Sequence, residues 1–155
     1  MAHADLERRA VVQYWSEAEN ALMGVEKGAK VLMSPASRTY LDMQYDTTSP
    51  LGLHWAAYIE VDSAYLWDPA DMVQGIGHDD IIGVEAPLWS ETLTKMDDIE
   101  YMAFPRLAAI AEVAWSPAAS REWGDFSSRL GQFGPRFTAM DINYYPSAQI
   151  IWAED

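Results

Sequence analysis

Two kinds of apolar pattern alternate along this chain. Short runs, Val11-Val12-Gln13-Tyr14-Trp15, Lys30 to Met33 and Ile81 to Val84, have the length of strands. Longer stretches have helical composition or helical spacing. Ser16 to Lys27 reads as a helix that starts near Ser16 or Glu17 and stops at Gly28. Asp97-Asp98 start a short helix through Ala103. Pro105 to Ala114 reads as the next, with the proline in its first turn, where its missing N–H costs nothing. Leu107, Ile110, Ala111 and Ala114 form its expected packed face, and Ser116-Pro117 stops it. Ser120 is the expected cap of a last helix, striped by Trp123, Phe126, Leu130 and Phe133.

Between the second and third strands the pattern loses its period. Ser34-Pro35 opens a long loop that carries Tyr40-Leu41-Asp42, Tyr45 and Ser49-Pro50-Leu51-Gly52. An irregular or helical stretch begins at Trp55 to Tyr58, and Tyr65-Leu66-Trp67-Asp68-Pro69 reads as a turn-like anchor. Met1 to Arg9 is a polar lead-in, and Asp141 to Trp152 closes the chain. Strands alternating with helices predict an α/β fold with parallel strands under helical cover. The aromatic and acidic residues sit just after strands, which in a (β/α) barrel is the active face.

The third strand leads into Gly-Val-Glu-Ala-Pro-Leu-Trp-Ser-Glu, residues 83–91. In an extended stretch, residues two apart point the same way, so Trp89 and Glu91 can face one ligand. A ring surface beside a hydrogen-bond acceptor suits a sugar. Read alone, the stretch equally fits Trp89 as core and Glu91 as a helix-start residue near a macrodipole.

Composition narrows the function classes. The net charge of −14, with ten scattered basic residues, argues against nucleic acid. There is no apolar run long enough to cross a membrane and no signal-peptide pattern. Without cysteine, and with three scattered histidines, a metal site built by the protein is not expected, and no cofactor motif is present. Seven tryptophans and eight tyrosines fit either an aromatic core or an aromatic-lined sugar pocket.

Five strings, KVLMSPASRTYLDMQYD, PLGLHWAAYIEV, YLWDP, GVEAPLWSET and AFPRLAAIAEVAWSP, occur in that order. Together, over Val11 to Trp152, they resemble the carboxyl-terminal part of the catalytic barrel of family-twenty glycoside hydrolases, the β-N-acetylhexosaminidases, in their bacterial form. The resemblance implies a single partial catalytic domain, 1–155, that forms about the last three β/α units of a TIM barrel. Val11–Tyr14, Lys30–Met33 and Ile81–Val84 take the places of its sixth, seventh and eighth strands, and the first five lie outside the chain.

The family's chemistry is substrate-assisted: the 2-acetamido oxygen attacks the anomeric carbon of its own sugar. An Asp-Glu pair after the fourth strand supplies the orienting carboxylate and the acid/base. No Asp-Glu dipeptide occurs in this chain, so the isolated chain is expected to be inactive. What the resemblance carries over is the pocket. Tyr40 matches the tyrosine that orients the acetamido oxygen, and Asp42 the acid that binds sugar hydroxyls. Trp55 matches a pocket tryptophan, and Trp15 the wall of the acetamido pocket. Trp89 matches the floor under the ring, and Glu91 the acid that holds its outer hydroxyls. Trp67, Trp115, Trp123 and Trp152 read as structural, His54 and His78 as incidental. Arg106 reads as structural, paired with an acid such as Glu85 or Glu112.

The partners that follow are an N-acetylhexosaminide sugar and either the missing barrel half or a second copy, because a three-strand parallel sheet has two open edges. Two further readings are a non-catalytic sugar-binding half-barrel and a complementing chain of a split enzyme. The family implies a secreted or otherwise extracytoplasmic bacterial protein.

Overall fold

The computed structural model describes residues 10–154, so the lead-in expected at Met1 to Arg9 lies outside the described residues. Three short strands, β1 (Val11–Tyr14), β2 (Lys30–Met33) and β3 (Ile81–Val84), pair in parallel in the order β1-β2-β3. Their bounds match the sequence reading, apart from Trp15, which follows β1. Pairing runs past the strands: Ser34 N–H donates to the Tyr14 carbonyl at 2.8 Å, and Glu85 N–H to the Met33 carbonyl at 2.9 Å.

Alternation along the strands explains the two faces. Val31 and Met33 of β2 are fully buried with Tyr14, Ala21, Val73 and Ile76. Helix α1 (Ala18–Glu26) lies flat on this face; a Cβ at Gly24 would collide with the Val12 side chain. On the opposite face, Val11, Gln13, Trp15 and Glu85 are exposed. This concave face has no cover among the described residues.

A second core is larger. It gathers Tyr40, Met43, Ile59, Val61 and Tyr65 with α5 (Arg106–Trp115) and α6 (Trp123–Ala139). The long loop is more ordered than its pattern predicted. It contains two short helices, α2 (Ala36–Thr39) and α3 (Val61–Tyr65). The first is a single turn closed by the Thr39 hydroxyl on the Pro35 carbonyl at 3.2 Å, and the second starts on its own Glu60 carboxylate. Both are too short for periodicity to reveal.

Helix α4 (Met96–Ala103) was expected. The buried face of α5 is Arg106, Ala109, Ile110 and Val113, one residue out of phase with the predicted one; Ala111 and Ala114 are exposed. The predicted phase placed the arginine outside, and it is inside. Pro105 is the N-cap rather than the first helical residue, and the Phe104–Pro105 peptide is cis. Ser120 does not cap α6. It belongs to a 3₁₀ turn, and the cap is Glu122, whose carboxylate accepts the Gly124 and Asp125 N–H groups at 2.9 and 2.7 Å. The stripe of α6 continues through Phe126, Leu130, Gly131, Gly134 and Phe137, leaving Phe133 partly exposed.

Candidate functional site

The turn at α2 decides where the site forms. Ala36 N–H donates to the Trp15 carbonyl, so the chain leaves β2 across the end of β1 and delivers Tyr40 to the carboxyl side of the sheet. Leu41 N–H then donates to the Pro87 carbonyl at 2.8 Å, which ties the loop to the segment after β3. Next, Met43 and Leu53 form an isolated bridge, with Leu53 N–H on the Asp42 carbonyl at 2.9 Å. Gly52, at φ +94°, makes that turn; a Cβ there would lie 2.7 Å from the Asp42 carbonyl oxygen. Its N–H donates to the Thr92 hydroxyl at 2.9 Å, which joins this loop to the chain just past Glu91.

These ties bring every sequence-predicted site residue to one place. Trp15, Tyr40, Asp42, Trp55, Trp89 and Glu91, joined by Gln13, line a cavity of about 390 Å³. The Trp15 and Trp55 rings meet edge-on at 6.4 Å. Tyr40 lies edge-on to Trp55 at 6.0 Å and tilted to Trp89 at 6.5 Å. Trp15, Trp55 and Trp89 keep 44%, 56% and 53% of their surface exposed while Tyr40 and Asp42 are buried. The three indoles thus stand half open around the buried Tyr40 and Asp42.

Burial raises the Tyr40 hydroxyl above its ordinary pKa; the Trp89 side chain hydrogen-bonds it and pulls the other way, and the charges of Asp42 and Glu85 add to the rise. Burial likewise raises Asp42. Its own backbone N–H and that of Trp89 oppose this, Glu91 adds to it, and the Arg106 charge counters it. One carboxylate oxygen, Oδ1, is buried without a hydrogen-bond partner. A buried acceptor of this kind is suited to a ligand hydroxyl.

Gln13 was not named from sequence. Its Nε2 donates to Glu85 Oε2 at 2.6 Å, spanning from β1 to the end of β3. The signal for it was present, since it stands two residues before Trp15 in a strand and so shares its face. Arg106 is structural as expected, but its partners are not acids. It is wholly buried and donates to main-chain carbonyls. Glu85 pairs with Gln13, while Glu112 accepts from Arg129 at 2.8 Å and from the Tyr65 hydroxyl at 3.0 Å. Trp67 and Trp152 donate to the Ala64 and Ser147 carbonyls, as structural tryptophans do. Trp115 does not fit that reading, being 91% exposed at the free edge of β3. A cleft of equal volume lies there, but its charged residues Asp68 and Arg121 neutralise each other at 2.7 Å. Among the described residues no cluster of three metal-ligating side chains occurs, and no helix is long and apolar enough to cross a membrane.

The profile of "Glycosyl hydrolase family 20, catalytic domain" matches residues 1–118. The chain belongs to glycosyl hydrolase family 20. It is 46% identical over 150 residues to a β-N-acetylhexosaminidase of Cellulomonas fimi, a match covering 95% of this chain and 30% of that protein. The family-20 β-N-acetylhexosaminidase structure of Streptomyces coelicolor A3(2) superposes with a TM-score of 0.91 at 43% identity, covering 97% of this chain and 32% of that one. A mutant Streptomyces plicatus β-hexosaminidase, solved in complex with product (GlcNAc), gives a TM-score of 0.88 at 44% identity and covers 93% of this chain and 30% of that one. The chain therefore spans about a third of the length of these family-20 relatives, and its three β/α units are the carboxyl-terminal part of their TIM barrel.

Proposed function

We propose that this chain supplies the sugar-holding wall of a β-N-acetylhexosaminidase that removes terminal N-acetylhexosamine by a substrate-assisted, retaining mechanism. The observation that carries the reading is the convergence of three half-open indoles around the buried Tyr40 and Asp42, with Glu91 in the same cavity. Trp89 forms the floor under the ring, and Trp15 and Trp55 wall the acetamido side. Asp42 and Glu91 accept the sugar hydroxyls, and the free Oδ1 of Asp42 supports this. Tyr40 donates its hydroxyl proton in a hydrogen bond to the acetamido oxygen, which holds that oxygen near the anomeric carbon and offsets charge as it attacks.

The same reading assigns the proton donor and the orienting carboxylate to the remainder of the barrel, since this sequence has no Asp-Glu dipeptide. Among the described residues the outer edges of β1 and β3 are unpaired, which favours a chain that completes such a barrel over a self-sufficient sugar-binding module. Hydrolysis of a chromogenic N-acetyl-β-glucosaminide tests this. The chain alone is expected to give no turnover, and mixing it with the first five β/α units of a family-20 relative is expected to restore it. Robust turnover by the chain alone that survives both Tyr40→Phe and Glu91→Ala contradicts the assignment.

A further inference from the structure

Among the described residues, the largest wholly buried side chain is a charged one, Arg106, and its guanidinium has no carboxylate partner among them. Nη2 donates to the carbonyls of Leu41 and Met102 at 2.6 and 2.7 Å, and Nη1 to those of Met43 and Ile59 at 2.6 and 3.0 Å. The Tyr45 ring lies against its flat face, 3.7 Å from the carbon to the ring centroid. A cation taken out of water needs such a set of acceptors, and carbonyl dipoles with a π-face supply it.

Two of the four carbonyls, Leu41 and Met43, belong to the residues on either side of Asp42. Each accepts at 2.6 Å, the shortest contacts the guanidinium makes. One rigid planar fork thus holds the peptide before Asp42 and the peptide after Met43, while Leu53 N–H holds the Asp42 carbonyl in the peptide between them. The remaining two bonds anchor the fork to the end of α4 and to Ile59, which is itself tied back to the loop through Ile59 N–H on the Gln44 carbonyl at 2.8 Å. A fixed loop explains how Oδ1 of Asp42 stays buried and unpaired beside the cavity that Asp42 lines, instead of turning to water.

We propose that Arg106 is a positioning residue for the sugar pocket: its grip on the Leu41 and Met43 carbonyls sets the place of Asp42. The role deepens the proposed sugar-binding reading and rests on it. It also explains why the charge is kept inside. A hydrophobic residue of similar size would fill the space but leave the buried Leu41, Met43 and Ile59 carbonyls without this donor.

The test uses the whole chain and N-acetylglucosamine, with indole fluorescence and amide hydrogen exchange as readouts. Arg106→Lys keeps the charge but loses the planar fork. At a temperature where it remains folded, its affinity for the sugar is expected to fall about tenfold, the equivalent of one lost hydrogen bond. In an Asp42→Asn background the same substitution is expected to change affinity little, because the effect passes through Asp42. Tyr45→Phe keeps the ring but removes the hydroxyl, whose one proton faces the Tyr101, Met102 and Phe104 carbonyls and lies nearest Phe104 at 2.9 Å; it serves as the structural control, less stable but with unchanged affinity. In the unsubstituted chain, the Leu53 and Gln44 amides are expected to exchange as slowly as those of β2.

Sugar affinity unchanged in Arg106→Lys, or lost equally with and without the Asp42 carboxylate, overturns the positioning role. So do Leu53 and Gln44 amides that exchange far faster than the strand amides, a result that needs no variant to fold. If the unsubstituted chain takes up no sugar, the pocket reading fails, and the exchange rates alone decide whether the loop is pinned.

Discussion

At the scale of single residues, Asp42 carries the sharpest conflict between stability and function. Its carboxyl is held above the ordinary aspartate range chiefly by burial. A carboxyl raised in the folded state binds its proton more tightly there than in the unfolded chain. Its stabilising contribution is therefore complete below the unfolded value and is lost as pH rises through the folded one. At neutral pH the ionised group weakens the fold. Asp42→Asn is accordingly expected to raise the urea midpoint at neutral pH and to lose that advantage below about pH 3.9, the unfolded aspartate value. The same variant is expected to weaken sugar binding. Tyr40→Phe affects the reaction instead: in a completed barrel it is expected to lower kcat by about 100-fold or more, as loss of a donor to developing charge does, with a smaller change in KM. Tyr40, Asp42, Trp55, Trp89 and Glu91 could be expected to share a cavity because each stands in a motif string, whereas Trp15 lies outside those strings and follows from its place at the end of a strand. Gln13 stands in no such motif and was passed over, although strand alternation pointed to it. The partners of Arg106 could not be read, because a carbonyl acceptor is common to every residue and leaves no mark on the sequence.

At the scale of elements, strand bounds were readable because a short, mostly apolar run between polar or turn-forming residues has few alternatives. The phase of α5 was not. Alanines at 108, 109, 111 and 114 fit more than one face, and the face chosen by tertiary packing contains an arginine that any apolar pattern excludes. Short helices α2 and α3 leave no periodic signature, yet α2 aims Tyr40. The loop from Asp42 to Leu53 shows how such irregular chain is fixed, by one bridge, one arginine and one glycine. Gly52 combines a left-handed φ with contact at the Asp42 carbonyl and the Met102 side chain. Gly52→Ala is expected to destabilise the chain by more than about 1 kcal/mol, the cost of the backbone conformation alone, and to displace Asp42. Urea unfolding measures the first effect and the sugar dissociation constant the second. A variant with unchanged affinity would show that the turn does not set the site.

For the whole molecule, the sheet is unfinished in three directions among the described residues: at the edges of β1 and β3 and on the concave face bearing Val11, Gln13 and Trp15. Exposed Ile82 and Trp115 mark the β3 edge as a surface made to be covered. Alone at high concentration, the chain is expected to self-associate in sedimentation velocity, and Ile82→Lys is expected to reduce this by placing a charge on the open edge. A monomer at all concentrations contradicts that expectation. The barrel family was legible in the sequence because motifs survive in a fragment. The state of the edges follows from strand pairing and needed the structure. The central claim, that these three units build a sugar pocket around Tyr40, Asp42 and the indoles, is tested most directly by titrating the chain with N-acetylglucosamine while following its indole NMR signals. The account predicts saturable shifts confined to Trp15, Trp55 and Trp89, in the millimolar range and abolished by Asp42→Ala. Shifts at Trp67 and Trp152 instead, or none at saturating sugar, contradict it.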